Sequence, residues 1–295
     1  MIKRCLFIGV LTLCLLAEET KQAYSFDLLA RGADAVARGG AYLTSAENAQ
    51  PVFQNYAFLS SQTEPRASLT TFRLLNEVGY LAAAGTLGNF SFGVLNAQDS
   101  SGYMRDAENN LGARISYQDT TFYGACGWGA ENFGLGTRLK YHSKNYSAVD
   151  ISASGLALDF SGFYRLDERW QFGAAVNNAV ASGLRWSTGL TEELPRTYEL
   201  GGRCRTLENL DLYAETTLQE NIPQLWRGGA ELAAGELVTL RAGFCQTKDL
   251  LLVTNFTAGI GLRLDNVSLE YAYNPTDDLS GSVTHFFTLS YRLVK

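Results

Sequence analysis

The chain has two histidines, His142 and His285, and these are its best candidates for catalytic side chains. Hydrolysis by an activated serine needs a serine within hydrogen-bond reach of a histidine, and Ser143 is the one serine directly beside either of them. Neighbouring side chains of an extended strand point to opposite faces, so this pair is not a catalytic dyad. The sequence also shows no metal-ligand spacing and no glycine-rich phosphate loop between a strand and a helix. We therefore predict a non-enzyme, with no catalytic, cofactor-binding or metal-binding residues and no cofactor.

Charged residues are the second group that could bind or react with a ligand. They share one parity of the alternating segments, so they would line one face. In Leu210–Gln219, Asp211 and Glu215 alternate with Leu210 and Leu212. Guanidinium groups on such a face can pair with the carboxylates beside them, or receive a ligand carboxylate bidentately. The candidates for a charged interior lining are Arg138, Lys140, Asp159, Glu199, Arg203, Glu215, Arg227, Glu231, Arg241, Arg263, Glu270 and Arg292.

β-Strands must position these residues, since apolar and polar residues alternate with a period of two from about Ala67 to the C-terminus. Short turns such as Gly88-Asn89 and Asp265-Asn266 suit tight hairpins. The stretch 111–118 also alternates, and is either a fifteenth element or a lid within a long loop. Fourteen strands are predicted, at 67–75, 78–87, 90–98, 120–129, 132–142, 153–164, 169–178, 196–206, 210–219, 225–233, 236–246, 254–264, 266–274 and 284–294.

Composition narrows the class of protein. Of 295 residues 46% are hydrophobic and 18% charged, and the mean hydropathy is -0.07. Beyond the N-terminus no run of about 18 apolar residues occurs, which excludes a helical membrane protein. The net charge of -6 argues against nucleic acid as a partner.

The alternation fits a closed barrel in a membrane, where every backbone amide needs an internal partner. The segments have about the 9–11 residues that a tilted strand needs to cross a bilayer. Short and long connections alternate, and Trp and Tyr gather near strand ends on the apolar parity, as in outer-membrane barrels. A soluble β-sandwich or propeller would show the same alternation with the apolar face inside. We predict an all-β fold, a transmembrane antiparallel β-barrel of about 14 strands with an N-terminal plug, or hatch, segment.

Residues 1–25 have the organisation of a signal peptide. Basic residues precede an apolar run at 5–17, and the small residues Ala23 and Ser25 suit cleavage before Phe26. The alternative, a transmembrane anchor, needs a longer apolar run than this one. We expect an exported protein located in the bacterial outer membrane, with outer-membrane lipid as a partner.

Residues 26–66 lack the alternation and are rich in small residues. Such a segment would fit inside a barrel as a plug, and the alternative is a flexible periplasmic tail. The predicted organisation is therefore a signal peptide at 1–25, a plug segment at 26–66 and an outer-membrane β-barrel at 67–295.

The plug segment contains the steps Arg38-Gly39-Gly40-Ala41-Tyr42 and Ala46-Glu47-Asn48-Ala49. With this spacing it resembles the N-terminal signature of the PorV/PorQ family and of its relatives, the FadL-type channels for hydrophobic compounds. The closing strands, for example at 257–262 and 269–275, are similar to those of the same family. One box departs from the family pattern, with Tyr56 in place of Pro and Phe58 in place of Gly. The resemblance implies a fourteen-stranded outer-membrane barrel with an N-terminal hatch. The signature residues are Arg38, Gly39, Gly40, Ala41, Tyr42, Asn48, Asn55, Ala57 and Leu59.

The resemblance implies two functions. PorV-like members act with a protein-secretion apparatus, whereas FadL-type members let long-chain fatty acids or other hydrophobic small molecules pass without energy coupling. The mature chain is short for a FadL-type protein and its predicted interior is charged. We therefore expect a non-enzymatic, secretion-associated or interaction barrel of PorV/PorQ type, with secretion-system components as partners. The alternative is a FadL-like passive channel, whose partner is a hydrophobic small molecule.

Overall fold

A computed structural model describes residues 30–45, 50–74, 78–99, 102–105, 108–147, 149–219, 222–248, 252–275 and 283–293. The predicted signal peptide at 1–25 and the signature residue Asn48 lie outside these residues. The described helices are α1, Ala33–Ala37, and a 3-10 helix, Tyr56–Ser61. The described strands are β1 Arg66–Leu74, β2 Val78–Leu87, β3 Phe90–Asp99, β4 Tyr103–Arg105, β5 Leu111–Arg114, β6 Tyr117–Ala130, β7 Phe133–Tyr146, β8 Ile151–Arg165, β9 Trp170–Ala181, β10 Leu184–Trp186, β11 Thr191–Glu192, β12 Thr197–Leu207, β13 Leu210–Gln219, β14 Ile222–Ala234, β15 Val238–Lys248, β16 Leu252–Leu264, β17 Val267–Pro275 and β18 Val283–Arg292.

Fourteen of these strands close into an antiparallel barrel. The wall follows chain order, and β6 pairs with β3 and β12 with β9 where short loop strands intervene. The first and last strands then pair, from Arg66 opposite Arg292 to Phe72 opposite Phe286. Closure gives every wall strand two hydrogen-bonded neighbours and leaves no free sheet edge. The predicted all-β fold and the fourteen-stranded antiparallel barrel are confirmed.

The two faces of the wall carry different side chains. On β13, Leu212 points outward and is 42% exposed, while Tyr213 and Glu215 point inward and are buried. Trp128 and Trp170 are likewise exposed on the outer face. A β-sandwich would bury its apolar face, so this arrangement excludes the soluble alternative and is typical of a membrane barrel. No described helix is long and apolar enough to cross a membrane.

The fourteen predicted strands coincide with the fourteen wall strands, but several wall strands are longer than predicted. The strand expected at 132–142 runs over Phe133–Tyr146, and the one expected at 153–164 over Ile151–Arg165. These two pair along their whole length, to Tyr146 opposite Ile151. Most of the additional residues, 143–146 and 151–152, extend the hairpin at the end that carries the longer loops.

The connections differ at the two ends of the barrel, which we call the short-turn end and the long-loop end. The short-turn end holds tight turns such as the one between β2 and β3, together with Arg66 and Arg292. At the long-loop end, β5 pairs with β4 in a separate two-stranded sheet, and residues 117–118 begin β6. The alternating stretch 111–118 is therefore divided between a loop hairpin and the wall, and does not form a fifteenth wall strand.

Residues 30–45 and 50–62, which we call the inner segment, pack against the inner face of the wall. The side chains of α1 and most of those of the 3-10 helix are buried. α1 contacts β15 to β18, while the 3-10 helix contacts β3 and β6 to β8. The inner segment therefore touches opposite sides of the barrel.

Candidate functional site

Side chains of the wall satisfy backbone groups of the inner segment, whose short helices leave many amides without partners. The Thr257 hydroxyl accepts from Gly39 N at 3.0 Å and donates to Ala37 O at 3.1 Å. The Glu215 carboxylate accepts from the amides of Tyr42 and Leu43 at 2.7 and 2.6 Å. Buried amides need such partners, so these contacts fix the course of the segment.

Arg38 is the centre of a buried ion-pair network and has no exposed surface. It lies 2.5 Å from Glu231 on β14 and 2.9 Å from Asp34 one turn earlier in the segment. The Glu231 carboxylate also pairs with Arg241 at 2.6 Å, and Arg241 pairs with Glu270. Burial acts to lower the pKa of the Arg38 guanidinium, but the nearby carboxylates outweigh it and raise that pKa above its usual value. Arg38 therefore stays charged.

A second buried network joins the segment to β12. Arg31 donates to Glu199 at 2.9 Å and lies over the Tyr42 ring, 3.7 Å from its centroid. The Tyr42 hydroxyl donates to the second oxygen of Glu199. Since the side chains of Arg31 and Glu199 are almost fully buried, each needs the other. Arg227 lies beside this network and donates to Thr217 at 2.7 Å.

A third network surrounds Asp159 on β8. Its carboxylate pairs with Arg138 at 2.6 Å and with Lys140 at 3.2 Å, and accepts from Asn178 N at 2.6 Å. Asn178 has a positive φ of 54° and lies where the register of β8 and β9 shifts. Asp159 therefore stabilises an irregularity in the wall. Arg138 also donates to Val52 O of the inner segment at 2.8 Å.

Glycines bring wall and segment into close contact. A Cβ at Gly243 would lie 2.2 Å from the backbone of Arg38 and Gly39, and one at Gly136 would lie 2.7 Å from Ala57 N. Asn55 caps the 3-10 helix by accepting from Ala57 N and donates to Leu43 O at 2.6 Å. The signature residues Gly39, Asn55 and Ala57 thus act through backbone contacts and close packing, in addition to the side-chain pairs of Arg38 and Tyr42.

The inner face also carries a group of buried aromatic rings, of which Tyr123 lies under Arg138 of the third network. Phe72, Tyr80 and Phe286 lie on adjacent strands. The ring centroid of Phe72 is 4.5 Å from that of Tyr80 and 4.4 Å from that of Phe286. Tyr123 meets Phe53 of the inner segment edge-on at 5.2 Å. We call these five residues the aromatic cluster. Its wall members on β1, β2 and β18 stand close to the long-loop end.

The predicted interior charges all lie on the inward parity of their strands. Nine of them join one of the three networks or lie beside one. The other three lie nearer the short-turn end: Arg203 pairs with Asp211 at 3.6 Å, Arg292 lies 3.6 Å from Glu64, and Arg263 is exposed. The nine are Arg138, Lys140, Asp159, Glu199, Glu215, Arg227, Glu231, Arg241 and Glu270.

Sequence reasoning missed the partners that the inner segment supplies. Arg31 and Asp34 precede the signature and complete two of the networks. The spacing of Asp34 and Arg38, one helical turn apart, was an available signal. The aromatic cluster was also missed, although Phe72 and Phe286 occupy the parity opposite to their lipid-facing neighbours. His142 bonds to Thr121 inside the barrel, and His285 to Tyr271 on the outer face.

Comparisons with known structures define the class of this fold. The toluene transporter TbuX of Ralstonia pickettii aligns with a TM-score of 0.61 at 14% identity, over 92% of this chain and 100% of that one. The toluene transporter TodX of Pseudomonas putida aligns with a TM-score of 0.56 at 13% identity, over 94% of this chain and 99% of that one. A FadL homologue of Pseudomonas aeruginosa gives a TM-score of 0.56 at 13% identity, covering 88% and 97%.

The chain therefore has the fold of FadL-type outer-membrane hydrocarbon transporters. No protein-family model and no curated protein matches it. The similarity in fold agrees with the resemblance of the sequence to FadL-type channels, which was one of the two families named above.

Proposed function

We propose that the protein is a passive outer-membrane channel for a small hydrophobic molecule. The observation that carries this proposal is the aromatic cluster, an apolar surface on the inner face of a barrel with the fold of hydrocarbon transporters. Water-filled porins line their interior with polar groups. Buried aromatic rings near the long-loop end instead offer a contact surface for an apolar ligand.

The inner segment serves as the plug of this channel in our proposal. It contacts both sides of the barrel, and three networks of buried charges attach it to the wall. These charges neutralise one another, so their role is to hold the segment in place. A hydrophobic molecule that enters at the aromatic cluster would need Phe53 and its neighbours to move before it could pass.

Ligand binding to the folded barrel tests the proposal. Phe72→Gln keeps a side chain of moderate size but places an amide among the rings, so affinity for a naphthalene-based fluorescent probe should fall about tenfold or more. Phe133→Gln, on the outer face at the short-turn end, is the matched control and should bind like the wild type. Equal probe affinity for all three proteins would contradict the proposal.

The charged part of the interior favours a second role, a secretion-associated barrel of PorV/PorQ type. Such a barrel needs no hydrophobic path, and its paired charges would keep the plug closed permanently. Purification from the native membrane separates the two roles. Secretion components that co-purify support the second role, and bound hydrophobic ligand without such components supports the channel.

A further inference from the structure

Two basic residues near the closing seam stand out on the lipid-facing surface. Among the outward-facing residues of the fourteen wall strands whose side chains the structure describes, Arg73 and His285 are the two with a basic side chain, and none is acidic. A charged group on the lipid face costs free energy that depends on its depth and falls to little near the interface. The free-energy cost of these two side chains therefore depends on how close they lie to the membrane interface.

Arg73 and His285 lie on the two strands that meet at the seam of the barrel. The ladder between β1 and β18 ends with Phe72 opposite Phe286, and Arg73 and His285 are the next residues of their strands beyond that pair. Both side chains are exposed on the outer face. Two strands that are distant in sequence thus place a guanidinium and an imidazole together.

Two tyrosines complete this surface. His285 is opposite Tyr273 on β17, and its Nδ1 lies 2.9 Å from the Tyr271 hydroxyl. The rings of Tyr271 and His285 are stacked at 6.0 Å, and Tyr273 meets His285 at a steep angle. Four adjacent side chains therefore carry hydrogen-bond donors over an apolar surface.

The cluster is located at the long-loop end of the barrel, because Arg73 is near the end of β1 and His285 near the start of β18. Long loops of outer-membrane barrels face the exterior. The four side chains therefore lie at the level of the outer-leaflet headgroups. The glycolipid of that leaflet carries phosphate groups directly above its acyl chains.

We propose that Arg73, His285, Tyr271 and Tyr273 form a binding site for a phosphate group of an outer-leaflet glycolipid. The guanidinium binds phosphate oxygens bidentately. The Tyr273 hydroxyl donates a further hydrogen bond, and with Tyr271 donating to Nδ1 of His285 the Nε2–H of that imidazole donates another. The acyl chains then lie along the apolar outer face below, beside Phe287 and Leu289, which are both exposed. The site uses the outer surface and is independent of what passes through the barrel.

Lipid binding to the intact, folded protein tests this site. We would titrate detergent-solubilised protein with diphosphoryl lipid A and measure the bound fraction by native mass spectrometry. Arg73→Gln should weaken binding about fivefold, and Arg73→Gln with His285→Gln should weaken it further. Arg169→Gln removes an exposed arginine at the short-turn end, so this matched control should bind like the wild type. Heat-modifiable migration on gels would verify that each variant is folded.

The source of the phosphate is tested in the same titration. Lipid A without phosphates should bind more weakly than the diphosphoryl form, and excess inorganic phosphate should not displace the lipid. The proposal is overturned if Arg73→Gln and the double variant bind diphosphoryl lipid A as the wild type does. Equal binding of the dephosphorylated lipid, or full displacement by inorganic phosphate, would also overturn it.

Discussion

At the scale of single residues, Glu231 is a central carboxylate in the attachment of the inner segment to the wall. It is shared by Arg38 of the inner segment and Arg241 of the wall, at 2.5 and 2.6 Å. Both arginines are buried, and removal of one partner from a buried pair leaves an uncompensated charge.

Glu231→Gln should therefore weaken the attachment of the inner segment by about 3–5 kcal/mol. The measurement is the rate at which trypsin cleaves after Arg38 in the folded, detergent-solubilised barrel, which should rise. Glu236→Gln in an exposed turn is the control and should leave the rate unchanged. If the two variants are cleaved equally slowly, Glu231 does not attach the inner segment to the wall.

Gly243 offers a second test of how the inner segment is attached to the wall. A substitution there adds side-chain volume and leaves the charge unchanged. A Cβ there would lie 2.2 Å from the Arg38 and Gly39 backbone, so Gly243→Ala should displace α1 while the barrel stays closed. We expect faster cleavage after Arg38 with unchanged heat-modifiable migration. Gly85→Ala is the control, because a Cβ at Gly85 would meet nothing within 4 Å. Resistance of Gly243→Ala equal to that of the control would contradict the close contact.

At the scale of elements, the proposed plug has to move for a molecule to pass. The 3-10 helix lies against β6, where a Cβ at Gly127 would be 2.9 Å from Leu59 Cβ. This spacing is about 0.6 Å below the shortest Cβ–Cβ separation usual in a disulfide, so Leu59→Cys with Gly127→Cys should cross-link the inner segment to the wall after a small shift of the 3-10 helix away from β6.

The cross-linked protein should take up a hydrophobic probe at least tenfold more slowly than the same protein after reduction. The background needs Cys126, Cys204 and Cys245 replaced by Ser, since all three are free thiols. Each single cysteine variant serves as a control and should not respond to reductant. Equal uptake before and after reduction would show that the segment need not move at this point.

The strands could be predicted from the sequence, whereas the interior could not. Alternation sets which face of each strand is apolar, so β13 and β16 were predicted to within two residues. Alternation carries no information about which inward residues meet across the barrel. The pair Arg31–Glu199 depends on the path of the inner segment. Arg138 and Asp159, in contrast, face each other across the hairpin of β7 and β8, so their pairing follows from the register of that hairpin. The aromatic cluster was missed because Phe286 reaches Phe72 through closure of the barrel and Phe53 comes from the inner segment, whereas Phe72 and Tyr80 belong to one hairpin.

At the scale of the whole molecule, a closed apolar exterior should behave as an outer-membrane barrel. Because all fourteen wall strands pair with two neighbours, the native protein should resist unfolding by detergent at room temperature and migrate differently on gels after boiling. It should also stay in the membrane fraction after carbonate extraction. Release as a soluble periplasmic protein would contradict the barrel in the membrane.

The central claim is that a small hydrophobic molecule passes through this barrel, and uptake by cells tests it most directly. Labelled toluene and labelled oleate would each be supplied to cells that differ only in this protein. If the barrel is a channel for hydrophobic molecules, the wild type should raise the uptake of at least one of them above that of cells without the barrel. An uncoupler should not reduce this increase, and Phe72→Gln should abolish most of it. The proposed channel function would be contradicted if folded protein is present in the outer membrane and the uptake of both compounds still equals that of cells without the barrel.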